Sequence, residues 1–392
     1  MLQSVVRPLQ RLRSELGLSP MARAERRADL RVGLAADPGL DIAIEMAVRW
    51  LCRAQDRSRS GDGGVARHFS LLTGWSASYP ETTGYIIPTM IAAATEFADD
   101  SLRARARLML DWLLSIQFPD GGFQAGTMGA EPLVPAVFNT GQILLGLASG
   151  ARVWGDQYGA PMRRAADWLV AAQDPDGCWR RFQSPFAMRG EKAYNAHVAW
   201  GLFETARVCP DAPYADAALA NVRWTLGQMR PNGWFDNCCV DTPAAPLTHT
   251  IGYALRGLME GFRFTNDTEL LDHCRRAADG LLGALRPDGF LPGRLDARWR
   301  GAVDWACLTG SLQVAHCWLM LYEYTGEPRY RQAGTAVTRY VRRTMRVDGN
   351  PDSRGGIKGS FPVSGDYGRF EYLAWACKFF VDANLLERSL RL

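Results

Sequence analysis

The chain has 392 residues, 47% of them hydrophobic and 22% charged, with a formal net charge of +4. This composition fits a globular protein with ample apolar mass for a core, and its charge is too small and dispersed for a nucleic-acid binder. No stretch approaches the ~18 unbroken apolar residues of a membrane-spanning helix.

The opening residues lack the apolar core of a secretory signal, and the nine cysteines sit mostly inside apolar helical phrases. Both features lead us to expect a cytoplasmic protein with buried, reduced thiols. Residues 1–40 carry Arg7, Arg11, Arg13, Arg23, Arg26, Arg27 and Arg31. They read as a basic N-terminal extension, a solvated surface helix, with peripheral contact to an anionic surface as its other use.

From residue 41 to 392 a single domain is expected, built on one repeated phrase. It is plainest in WLVAAQDPDGCW at Trp168, recurs at Trp50, Trp112 and Trp224, and survives in weaker form at Gly280 and Tyr340. The steps between starts are 62, 56, 56, 56 and 60 residues. A fixed period of that length signals stacked supersecondary units. Each phrase ends an amphipathic helix, such as SLRARARLMLDWLLSIQ, at an Asp-Gly or Asn-Gly stop. The Asp and Asn of these stops are therefore turn residues first. Each stop is followed by a helix apolar around most of its circumference, such as FNTGQILLGLASGARVW. One exposed and one buried helix per unit, six times over, predicts an all-α fold, an (α/α)6 toroid of six helical hairpins.

The phrases Leu169, Gln173, Gly177, Trp179 and Leu113, Gln117, Gly121, Phe123 resemble the QW motif of squalene–hopene-type terpenoid cyclases. Protein prenyltransferase β subunits and lanthionine cyclases share that toroid. Later phrases, among them FNTGQILLGL and LTHTIGYALRGLMEG, are similar to a bacterial toroid group that accompanies exopolysaccharide biosynthesis. The resemblance implies the fold and points to a carbohydrate-active protein; it does not settle the reaction, because one fold hosts many chemistries.

Counting from each turn glycine locates the inner-helix starts. Asn139 and Asn195 lie 18 residues after Gly121 and Gly177, and His249 lies 16 after Gly233. Thr309 lies 20 after Gly289, Glu81 lies 18 after Gly63, and Asp366, Arg369 and Glu371 fill the sixth position. In a toroid these starts ring one mouth. Asn and Thr there are ordinary helix caps, which His249 and Glu81 are not. Helix starts also present free N–H groups that suit anionic ligands.

These residues define the expected site: Glu81 and Asp304 as acid or nucleophile, His249 as base and Tyr367 as proton donor. Trp75, Tyr79, Asn139, Gln142, Tyr194, Asn195, His197, Asp236, Arg369 and Glu371 are expected to bind substrate. Aromatic rings cover pyranose faces while amides and charges take hydroxyls and carboxylates. Hydrolysis needs two carboxylates flanking the bond. Elimination or epimerisation needs a base, an acid and a neutraliser.

Two other readings stand beside this one. A zinc-dependent prenyl, terpenoid or thiol-transfer enzyme would draw ligands from Asp236, Cys238, Cys239, His249 and Cys307, though no ligand spacing is standard. The chain lacks the DxDD acid motif implied by proton-initiated cyclases. A non-catalytic sugar-binding scaffold is the other. The expected state has a saccharide partner, no nucleic acid, no transmembrane segment and no cofactor.

Overall fold

A computed structural model describes residues 17–391; Arg7, Arg11 and Arg13 of the basic arm lie outside them. After α1 (Pro20–Arg31), outer and inner helices alternate. They are α2 (Leu40–Asp56), α3 (Pro80–Glu96), α4 (Asp100–Ile116), α5 (Val137–Trp154), α6 (Asp156–Ala172), α7 (Ala196–Ala206) and α8 (Tyr214–Gly227). They continue as α9 (Thr248–Thr265), α10 (Thr268–Ala284), α11 (Leu308–Thr325), α12 (Pro328–Arg342) and α13 (Ala374–Ser389). The inner helices α3, α5, α7, α9, α11 and α13 each pack on the next, and α13 returns to α3 and to the first outer helix, α2. The chain folds as an (α/α)6 toroid.

Glycines set the radius of the inner ring. A Cβ on Gly146 would lie 2.4 Å from the carbonyl oxygen of Gly84, and one on Gly201 would lie 2.4 Å from that of Gly141. The backbones of α3, α5 and α7 therefore touch. The repeated phrase acts as a staple between neighbouring outer elements. Gln173 Nε2 donates to Gly177 O at 3.0 Å and to Ala217 O, one unit further on, at 2.9 Å. Gln117 Nε2 does the same to Gly121 O and Pro161 O, both at 3.0 Å. Gly177 has φ +89° and sits where a Cβ would lie 2.4 Å from Ala220 O.

The sixth turn departs from the sequence reading. Gly349, in the phrase at Tyr340, approaches nothing; the glycine that presses on the next outer helix is Gly355, 2.4 Å by its added Cβ from Met46 O of α2. Measured from Gly355, Glu371 falls 16 residues on, as His249 does from Gly233.

Among the described residues five short strands join the helices: β1 (His68–Ser70), β2 (Gly74–Trp75), β3 (Ala306–Cys307), β4 (Ser360–Phe361) and β5 (Glu371–Leu373). β1 pairs antiparallel with β2 and with β5, setting His68 against Leu373 and Ser70 against Glu371. This small sheet ties the first unit to the last where the ring closes. We refer to that closure as the seam.

The helix α1 is no detached arm. Ala22 is in the core and Asp29 is 6% exposed, while Arg23, Arg27 and Arg31 face outward. One face is docked because its two acidic residues meet Lys358 and Arg346 beneath it.

Candidate active site

A cavity of about 920 Å³ opens at the mouth formed by the inner-helix starts. Its wall combines the starts of α3, α5, α9 and α13, the 3₁₀ turn Ala193–Asn195, the β1–β2 hairpin, and loop residues near 128 and 186. None of the six inner helices carries a side-chain cap, whereas the outer α4 and α10 are capped by Asp99 and Asp267. Asn139 and Thr309 are therefore not caps; their buried side chains stand instead against the hydroxyls of Tyr79 and Tyr367.

Glu81, His249 and Tyr367 line the cavity, as do Trp75, Tyr79, Asn139, Tyr194 and Glu371. The remaining expected residues do not. Asp304 is exposed, in a bend that turns Trp305 inward instead. Asp236 is held by Arg230 at 2.7 Å across its own turn. Arg369 is exposed and lies over the Phe370 ring. Asn195 is buried within the 3₁₀ turn. Gln142 and His197 lie fully buried and bond each other, with Gln142 Oε1 and His197 Nδ1 2.6 Å apart.

The zinc candidates are not assembled. Among the described residues no three His, Cys, Asp or Glu side chains come together as a metal would require. Cys238 donates through Sγ to Thr250 O, and burial pushes the Cys307 thiol up to about 12. Neither thiol is poised as a thiolate ligand.

Sequence reasoning missed Arg59, Arg67, His68, Tyr253 and Trp375, all on the cavity wall. Tyr253 was within reach, one helical turn after His249 in α9 and so on the same face. Arg67 and His68 were not, because the pairing of β1 with β5 brings them to Glu371 across the seam. Arg67 Nη1 stands 3.4 Å from Glu371 Oε2, His68 Nε2 stands 3.6 Å from Glu371 Oε1, and the Arg67 guanidinium lies 5.0 Å from the centre of the Trp375 ring.

Burial controls the protonation of the site. It raises the Glu81 carboxyl to about 7, against the opposing effects of the Tyr79 hydroxyl that donates to Glu81 Oε2 and of the nearby Arg67. It lowers His249 to about 4, leaving a neutral ring. His249 Nδ1 lies 2.7 Å from Gln313 Oε1. An amide oxygen only accepts, so this pairing puts the proton on Nδ1 and leaves the Nε2 lone pair free. Burial, then Arg67 and Arg59, depresses His68 to about 3. Its Nδ1 is 2.8 Å from Arg67 Nη1, a donor only, so the His68 proton sits on Nε2. Burial also raises Glu371, with Arg67 opposing. Tyr367 is pushed up by burial, and its hydroxyl oxygen accepts from Trp375 Nε1 at 2.8 Å. The wall thus joins a carboxyl balanced near neutrality, a neutral imidazole with a free nitrogen, and several aromatic faces.

No family model matches this sequence, and no curated protein matches it. Solved structures do. An unsaturated glucuronyl hydrolase specific for heparin superposes with a TM-score of 0.72 at 15% identity, covering 90% of this chain and 97% of that one. An unsaturated glucuronyl hydrolase from Bacillus sp. has a TM-score of 0.68 at 15% identity, covering 89% and 96%. A cellobiose 2-epimerase from Bacillus thermoamylovorans has a TM-score of 0.69 at 13% identity, covering 94% and 99%. The likeness is one of fold. These neighbours are carbohydrate-active toroids, and at such identities no residue role passes from them to this chain.

Proposed function

We propose that the cavity binds an acidic saccharide and acts on it by acid–base chemistry, as a lyase or epimerase in preference to a hydrolase. The observation that carries this reading is the pairing of Glu81, near half-protonation at neutral pH, with neutral His249 on one aromatic-lined wall. His249 Nε2 takes a proton from a carbon beside the sugar's carboxylate or carbonyl. Glu81 returns one, and Tyr367, whose oxygen already accepts from Trp375, has its own proton free to give. The Asn139 amide, on the wall beside Tyr79, and the arginines Arg59 and Arg67 stabilise the developing negative charge. Trp75, Tyr194 and Trp375 offer ring faces for the pyranose.

Hydrolysis fits less well. It requires a second free carboxylate across the bond, yet Asp304 and Asp366 are exposed and off the wall, and Glu371 is paired with Arg67 at 3.4 Å. The Trp, Gln and Gly positions of the QW-like phrases lie off the cavity wall, and Arg59, in the insertion of the first phrase, is what they add to it, so that resemblance supports the fold and gives isoprenoid chemistry no anchor here. The similarity to the exopolysaccharide-associated group supports a polymer-building context, with a lipid-linked intermediate as one form of the substrate.

The test is incubation with uronate-containing oligosaccharides in deuterated water. Solvent deuterium at a sugar carbon, or an unsaturated uronate product, is expected from the wild type and lost in Glu81→Gln and His249→Ala. Turnover that survives both substitutions would remove the assignment, and binding without turnover or exchange would favour a sugar-binding scaffold.

A further inference from the structure

The helix α1 lies over the outside of the seam, and its acidic residues point into the protein. Lys358 Nζ stands 2.5 Å from Asp29 Oδ1 and 2.5 Å from Glu25 Oε1, and Arg346 Nε stands 3.0 Å from Glu25 Oε1. Asp29 Oδ2 also accepts from the backbone N–H of Val363 at 2.8 Å. Lys358 is 1% exposed. Buried ion pairs of this kind add little net stability over apolar packing of the same shape; their best-attested use is to enforce one register.

The register enforced here belongs to the cavity wall. Lys358 and Val363 bracket β4, and the Ser360 hydroxyl between them holds both backbone groups of Tyr367. Ser360 Oγ donates to Tyr367 O at 2.7 Å and accepts from Tyr367 N at 3.1 Å. Tyr367 in turn meets the Trp375 indole in the cavity. At the other end of α1, Ser19 Oγ donates to Leu71 O at 2.6 Å, beside the hairpin that carries His68 and Trp75. One short helix therefore grips the wall on both sides of the seam.

We propose that Asp29 and Lys358 are positioning residues: through β4 they hold Tyr367 against Trp375, making α1 a clasp on the site. The value of that clasp rests on the reading of the cavity as the reactive site, but its existence is testable separately. The indole N–H resonance of Trp375 reports the bond to Tyr367. Those of Trp179 and Trp318, which donate to Leu169 O and Ala278 O, report the toroid elsewhere.

In the full-length protein, Lys358→Met is expected to shift or broaden the Trp375 resonance, as Tyr367→Phe does. It is expected to leave Trp179 and Trp318 in place. If Lys358→Met does not fold, Asp29→Asn serves, since it keeps an acceptor for Val363 while removing the Asp29 charge and leaving Lys358 only Glu25. An unmoved Trp375 would overturn the proposal, and so would joint movement of all three resonances, which marks a merely stabilising role. Titration of the same samples with D-glucuronate reads the function separately. A Trp375 response in the wild type, weakened about tenfold or more in the variant, ties the clasp to binding. A wild type blind to D-glucuronate counts against the acidic-sugar reading and leaves the indole result standing.

Discussion

The outer turns and the cavity wall lie on the same face of the toroid and follow opposite rules. In the turns the repeated amides are tied to backbone: Gln117 and Gln173 each bridge two carbonyls, and Asn221 Nδ2 donates to Gly177 O at 2.8 Å. On the wall polar side chains meet other side chains, Tyr79 with Glu81 and Asn139, Tyr85 with Tyr253 and His249 with Gln313, and burial displaces Glu81 and His249 from their ordinary ranges. Titratable groups whose protonation is shifted by burial are held against their solvation, and they persist where something other than stability requires them. The turns hold the ring; the wall is left with groups ready for a ligand.

The sharpest way to break this contrast is Glu81→Gln. On the reading above it lowers turnover by roughly 10²–10⁴-fold while the fold survives. The wild-type rate should rise with pH as His249 deprotonates near 4 and fall as Glu81 deprotonates near 7; the variant should lack the alkaline limb. Stability gives a second reading of the same group. A carboxyl whose folded pKa is raised favours the fold fully below its unfolded value, and that contribution disappears as pH rises through the folded one. Glu81 therefore makes the protein less stable between about pH 4.5 and 7, and denaturant melts should show Glu81→Gln removing that decline.

Next in size is Gly177→Val, which combines a positive φ with a backbone clash. A loss of about 2–4 kcal/mol is expected in chemical denaturation, with no selective effect on ligand binding. Gln173→Ala deletes two donors to carbonyls and should cost about 1–2 kcal/mol, again by denaturation. A turnover defect larger than the stability defect in either variant would show that turns and wall are not separable. The smallest effect belongs to Asp304→Asn. As an exposed bend residue it should change stability by less than about 0.5 kcal/mol and leave turnover alone. A large loss of turnover would return hydrolysis to consideration.

Much of the toroid was legible because its determinants are local. Helix amphipathicity, the glutamine and the Asp-Gly stop repeat at a fixed spacing, so the outer and inner helices could be placed before the structure. The count from each turn glycine located Glu81, Asn139 and His249. It also led to Asn195 and Thr309, which do not line the cavity, and it offered no glycine for the last unit, where Gly355 makes the contact that Gly349 does not. Loop residues fared worse. Asp236, Asp304 and Arg369 have suitable chemistry, but Asp236 is tied to Arg230 in its own turn, and Asp304 and Arg369 face outward beside aromatic neighbours that take the buried positions.

The sequence by itself determined the number of hairpins, which helices are inside, and which end of the inner ring carries polar residues. These follow from periodicity and turn chemistry within about 60 residues at a time. Only the tertiary structure decided what faces what at the seam. Arg67 and Glu371 are separated by 304 positions, and α1 reaches Lys358 across 329. Those contacts exist because the ring closes on itself. Closure brings the first and last units together, and no local pattern encodes which side chains will meet there.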